Sequence, residues 1–147
     1  EGGIRSVWKV RNSMDILVMK LVHLDLDMNR VWTENRRDAM ALDQLSKSDR
    51  VVNMYAFCGQ SQLTEMADDF IYYMIKKSTP GSIDRLRIGL ETTKALVDVH
   101  SIDFPNSTIP SLSHSDLHVD NIVSIGGKIK LNDFNRAIPL RITNNGT

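Results

Sequence analysis

The hydrophobic and polar positions of the chain change period several times. From Ile4 to Arg11 and again from Met14 to Val22, β-branched and aromatic residues dominate, and the pair reads as two strands joined by a tight turn at Asn12-Ser13. From Asn29 to Lys47 the period lengthens. Val31, Asn35, Asp38, Leu42 and Leu45 recur at steps of four and three, the spacing of one helical face. "VVNMYAFCG" and "SQLTEMA" predict two more strands separated at Gly59-Gln60, and Asp68 to Lys77 predicts a short helix closed by the Pro80-Gly81 break. Ser82 suits the N-cap of a long helix to about Ser101, with Ile83, Leu86, Leu90, Thr93 and Val97 on one face. After a Pro/Ser-rich connection, "NIVSI", "GG" and "KIKLND" read as strand, turn and strand, because glycine supplies the positive backbone angles that a two-residue hairpin needs. A strand-rich part with one helix, then a helical part carrying a polar hairpin, predicts an α+β fold in two lobes joined near 65–69.

Composition narrows the function classes. With 147 residues, 41% hydrophobic and 24% charged, the chain has the make-up of one soluble globular unit. Eighteen basic against eighteen acidic residues give zero net charge, so no long-range field draws it to nucleic acid or to an anionic membrane. Neither partner is expected of this segment, and no apolar run is long enough to span a bilayer. The single cysteine, Cys58, cannot form an internal disulfide, which fits a reducing compartment. The chain opens at Glu1-Gly2-Gly3 without a targeting signal. The expected location is the cytoplasm, or the cytoplasmic side of a membrane if a preceding segment is an anchor.

Ionisable residues stand where apolar ones belong. Lys20 interrupts "ILVMKLV" on the face it shares with Ile16, Val18 and Val22, and Asp38 sits on the apolar face of the following helix. Lys20 alone reads as an edge-strand lysine whose stem lies on apolar surface and whose ammonium reaches water; but an unpaired buried carboxylate costs several kcal/mol, so each oddity offers the other a partner, and together they suggest an ion pair beside a cleft. "SHSDLHVDNIV" concentrates two histidines, two aspartates and an asparagine before an apolar pair. His114 and His118 have the spacing of two zinc ligands on a helical turn, but Ser115 stands where the HExxH pattern requires Glu. Alternatively the loop's side chains bond nearby backbone. In a third reading Asp116 is a general base or orienting carboxylate, while Asn121 and Asp133, folded to the same end of the hairpin, hold a divalent cation. Magnesium needs few protein oxygens when phosphates supply the rest.

"EGGIRSVWKV", "ILVMK", "HSDLHVDN" and "NDF", in that order, resemble a eukaryotic protein kinase domain from its N-terminal lobe to the metal-binding aspartate. The resemblance spans essentially the whole chain. It implies a protein kinase-like two-lobed fold with an incomplete C-terminal lobe: residues 1–66 as the N-terminal lobe, 67–147 as hinge and partial C-terminal lobe. Gly2, Gly3 and Val7 resemble the end of the glycine-rich loop and the valine over the adenine, with Arg5 where the third glycine is expected. Lys20 matches the lysine that binds the α- and β-phosphates of ATP, Val18 the usual alanine before it, and Asp38 the glutamate of the regulatory helix. Thr64 matches the gatekeeper, and the backbone of Glu65 and Ala67 the adenine-binding hinge.

Asp116 matches the catalytic aspartate, Asn121 and Asp133 the Mg²⁺ ligands, and His114 the structural histidine. Ser115 replaces the arginine of HRD, His118 the catalytic-loop lysine, and Asn135 the glycine of DFG, where asparagine tolerates positive angles. Phe134 would pack toward the helix of Asp38. The resemblance implies ATP-dependent transfer of a phosphoryl group to a protein serine or threonine, with ATP and Mg²⁺ bound and a protein as substrate. Two alternatives stand beside it. A pseudokinase or nucleotide-binding scaffold follows from the departures at Arg5, Asp38, Ser115 and Asn135. A small-molecule phosphotransferase follows from the likeness of "HSDLHVDN" to the HGDLHxxN loop of aminoglycoside and choline kinase-like enzymes. By itself the segment is expected to be inactive and poorly soluble, with apolar surface of the long helix uncovered.

Overall fold

The structure, a computed structural model, describes residues 5–11, 13, 15–23, 28–77, 80–102 and 109–140. β1 (Arg5–Arg11) pairs antiparallel with β2 (Ile16–Val22), and β2 with β4 (Ser61–Glu65), which pairs with β3 (Met54–Cys58). The sheet order is β1-β2-β4-β3. Strand alternation sends residues i and i+2 to one face, and the register Val7↔Lys20↔Gln62 gathers Arg5, Val18, Lys20, Gln62 and Thr64 on the inner side. Both strands of the first hairpin are therefore present as expected, although β2 begins at Ile16, and Ile4, Asn12 and Met14 lie outside the described residues.

Helix α1 (Met28–Gln44) packs beneath this sheet, and a turn carries the chain on to Lys47. Its periodic face is buried at all five positions: Val31, Asn35, Asp38, Leu42 and Leu45. Complete burial of a leucine such as Leu42 stabilises by roughly 1.5–3 kcal/mol. The core continues through Val51, Ile71, Ala95, Val99, Leu131 and Phe134.

Beyond β4 the pattern departs from expectation. Asp69–Phe70 is a short strand, β5, and only Ile71–Lys77 is helical (α2). The cause is the neighbouring hairpin, because Asp69 and Phe70 pair with Ser124 and Val123. That hairpin, β7 (Ile122–Ile125) and β8 (Lys128–Leu131), turns at Gly126 and Gly127, whose φ of 56° and 75° require glycine-like freedom at both turn positions. A 3₁₀ turn at Val119–Asn121, absent from the expected pattern, leads into β7. β6 (Leu112–Ser113) pairs with β9 (Ile138–Pro139), also unforeseen. Val52 N–H donates to Leu131 O and Leu131 N–H to Arg50 O, both at 2.9 Å, tying the entry to β3 onto β8.

Helix α3 spans Ser82–His100 with Gly81, not Ser82, as its N-cap. The Asp84 carboxylate accepts from Gly81 N–H at 3.2 Å, so the third helical residue satisfies the end from inside. The apolar face of Ile83, Leu86, Leu90 and Val97 is exposed, in line with the uncovered apolar surface expected of the long helix. The face in the core instead carries buried Ala95 and Val99 with Ile88 and Leu96 partly covered. The described residues thus form a mixed α+β structure of three α-helices and several antiparallel sheets.

Candidate functional site

Asp38 is the anchor from which the site is built. Its carboxylate is wholly buried on α1. Oδ2 accepts from Arg5 Nη1 at 2.6 Å and faces Lys20 Nζ at 3.8 Å, while Oδ1 accepts from the Phe134 backbone N–H at 2.8 Å. Burial pushes the carboxyl pKa up. The charges of Lys20 and Arg5, with the hydrogen bonds from Arg5 and Phe134, outweigh that and hold it below the usual carboxylate value. Lys20 and Asp38 are thus brought together, but Arg5 takes the closer place. Lys20 also donates to Asn132 Oδ1 at 3.3 Å.

A cavity of about 440 Å³ opens beside this anchor. The first sheet contributes Arg5, Val7, Val18, Lys20 and Thr64, and the chain leaving β4 contributes Glu65, Met66, Ala67 and Phe70. The hairpin and its flanks supply Asp120, Asn121, Val123, Ile125, Asn132, Asp133 and Asn135, and Val52 closes the wall. Among the sequence candidates, Val7, Val18, Lys20, Thr64, Glu65, Ala67, Asn121 and Asp133 therefore share one cavity. Asp38 stands behind Lys20, and Asp116 is not among the lining residues. Gly2 and Gly3 lie outside the described residues.

The cavity lining combines apolar Val18, Val52, Val123 and Ile125 with the charged side chains of Lys20 and Asp133. Asp133 has φ of 60°, a conformation that costs a non-glycine residue about 1–3 kcal/mol and persists only where its surroundings impose it. Neighbouring bonds do so here: Asn132 N–H to Asn121 O and Phe134 N–H to Asp38. The positive angle expected at Asn135 falls at Asp133 instead; among the described non-glycine residues only Ser115 shares it. Asp133 Oδ1 and Asn135 Oδ1 are buried without a hydrogen-bond partner among the described residues. Two such oxygens on residues that line the cavity suit a ligand that accepts lone pairs.

The loop below is organised by His114 and Asn121. Buried His114 donates from Nε2 to Asn132 O at 3.0 Å, and its ring lies 4.5 Å from that of Phe134. Burial lowers its pKa, although that hydrogen bond and the charges of Asp133, Asp116 and Asp38 pull the other way. Asn121 Nδ2 donates to Asp116 O at 2.9 Å, which commits the amide nitrogen to the loop. The Asp116 carboxylate is half-buried, 3.4 Å from Arg136 Nη1 and 3.8 Å from His118 Nε2. The zinc reading fails on this geometry. His114 is turned onto a carbonyl, and among the described residues no three His, Cys, Asp or Glu side chains converge as a metal site.

Glu65 offers more than backbone. Its Oε1 accepts from Lys130 Nζ at 2.5 Å and from Asn53 N–H at 2.7 Å, joining the end of β4 to β8. Sequence reasoning missed Lys130, along with Val52, Phe70, Asp120 and Asn132. Val123 and Ile125 were also missed, although their alternation along a recognised strand could have put them on one face. Comparison with protein families and with curated proteins finds no match for this chain.

Proposed function

We propose that the chain is the nucleotide-binding part of a phosphotransferase with a protein kinase-like two-lobed fold, which moves the γ-phosphoryl of ATP to a protein serine or threonine. The observation that carries this reading is the single cavity lined by both Lys20 and Asp133. Residues 1–66 would form one lobe and the remainder the hinge and part of the second. The sheet order, the anchoring of Lys20 on α1 and the hairpin position of Asn121 and Asp133 all support it.

The roles follow from the chemistry of each group. The apolar lining of the cavity takes the flat base, beside Thr64 and the backbone of Glu65 and Ala67. Lys20, steered by Asp38 and Asn132, meets the phosphates. Asn121 and Asp133 would hold a magnesium ion, since both line the cavity, Asp133 Oδ1 has no hydrogen-bond partner among the described residues and phosphates would complete the ligand set. Such an ion neutralises phosphate charge. Asp116 stands outside the cavity wall, where it would orient an acceptor hydroxyl arriving from solvent, so rate enhancement comes from positioning and charge.

The pairing of Asp116 with Arg136 favours a second reading, a nucleotide-binding scaffold, because a carboxylate already engaged is a poorer proton acceptor. Titration calorimetry with MgATP separates the proposal from an inert domain. Binding is expected for the wild-type chain and should disappear in Asp133→Ala; a wild type that takes up no heat, or an Asp133→Ala variant with unchanged affinity, rejects the assignment. Nucleotide binding with no phosphate incorporation by a protein carrying the complete second lobe favours the scaffold.

A further inference from the structure

We infer that Arg5 joins Lys20 in a two-cation seat for the phosphate chain of the nucleotide, an inference that rests on the nucleotide reading above. Arg5 is 6% exposed and lines the cavity. One of its nitrogens, Nη1, is spent on Asp38, but Nε and Nη2 are buried with no hydrogen-bond partner among the described residues. Buried donors of a charged group are expensive to leave unmet. A guanidinium held by one edge on a carboxylate, with other N–H groups unused beside a cavity, is set to grip a second anion there.

Charge counting at the anchor agrees. Asp38 is a single negative group serving two buried cations, Arg5 and Lys20, at 2.6 and 3.8 Å. At the anchor itself the two cations exceed Asp38 by one charge, and among the described residues Lys20 has only the neutral Asn132 oxygen as a further partner. The same cavity lining carries Asp133, whose Oδ1 has no partner among the described residues. An anion with several charged oxygens, lying against Arg5 and Lys20 and sharing a cation with Asp133, satisfies all three. A lone carboxylate has only two oxygens to divide among Arg5, Lys20 and a cation shared with Asp133. A di- or triphosphate chain has enough, and the apolar lining of the cavity accommodates an attached base.

The test is calorimetry on the 147-residue chain with ATP, ADP, AMP, adenosine and inorganic tripolyphosphate, each with Mg²⁺. Arg5→Met removes the guanidinium and keeps part of the stem. Arg5→Lys keeps a charge for Asp38 but cannot present a second N–H edge, which protects the fold if the first variant is unstable. In both, ATP and tripolyphosphate should bind about 10- to 100-fold more weakly, the worth of one or two charge-assisted hydrogen bonds, while adenosine is unaffected.

In the wild type, tripolyphosphate should also shift the Arg5 Nε–H proton resonance, a readout that a purely structural ion pair would not give. Unchanged ATP affinity in folded variants, or an equal loss for adenosine and ATP, overturns the inference and leaves the nucleotide reading standing. If the wild type binds tripolyphosphate through Arg5 but no nucleotide, the phosphate seat stands and the nucleotide reading falls. Binding of neither ligand overturns both.

Discussion

Asp38→Asn is the most informative single change, because it keeps the shape of the anchor while removing its charge and one of its two acceptor oxygens. The carboxylate is fully buried and meets Arg5 at 2.6 Å, Lys20 at 3.8 Å and Phe134 N–H at 2.8 Å. At an effective dielectric of about 20, one unit pair near 4 Å is worth about 4 kcal/mol before desolvation is subtracted. An amide oxygen can still accept from Phe134, but Arg5 and Lys20 are left as neighbouring buried cations. Breaking a buried pair in this way costs about 3–5 kcal/mol, a large share of the roughly 5–15 kcal/mol that holds a domain together. Urea unfolding followed by the fluorescence of Trp8 and Trp32 should show the midpoint falling with little change in slope. The melting temperature should drop by roughly 6–20 °C. A triple variant, Arg5→Met, Lys20→Met and Asp38→Leu, should regain most of the loss, since no charge is then stranded. If Asp38→Asn lies within about 1 kcal/mol of wild type, the carboxylate is not the anchor described here.

Two other outcomes follow from the same physics. Lys130→Met should destabilise by roughly 2–3 kcal/mol, less than Asp38→Asn because Glu65 keeps its bond from Asn53 N–H; adding Glu65→Gln should recover part of it, and chemical denaturation of the single and double variants measures both. Stability should also fall on acidification in two stages. His114 resists protonation in the fold, so stability is full above its ordinary pKa of 6.5 and declines as pH drops from there toward the lowered folded value. Asp38, also lowered, adds a further loss beginning near 3.8. Thermal melts across this range check both stages, and His114→Gln should erase the upper one; a flat profile between pH 7 and 5 contradicts the assigned burial of His114.

Much of the site was legible because charge stood out against period. Lys20 and Asp38 interrupt apolar faces, and an interruption that costs several kcal/mol implies a partner. Arg5 was not legible as a member of the site, since its partner lies 33 residues away and its position reads only as a missing glycine. Lys130 pairs with a residue 65 positions distant, and in "KIKL" it looks like an ordinary solvated strand lysine. The helix α3 shows the limit of periodicity itself. Its larger residues, Ile83, Leu86 and Leu90, mark the stronger stripe, yet the core takes Ala95 and Val99. The two-residue strands β5, β6 and β9 are too short to carry any period, and only their partners across the chain define them.

The central claim is that Lys20 and Asp133 line one seat for a metal-bound nucleotide. Diffraction from crystals grown with ATP and Mn²⁺ tests it most directly, because manganese stands in for magnesium and gives an anomalous signal. The account requires an anomalous peak in coordination contact with Asp133 and Asn121, with phosphate density running from it to Lys20. Manganese and nucleotide bound elsewhere, or a cavity that stays free of both at saturating ligand, would contradict it.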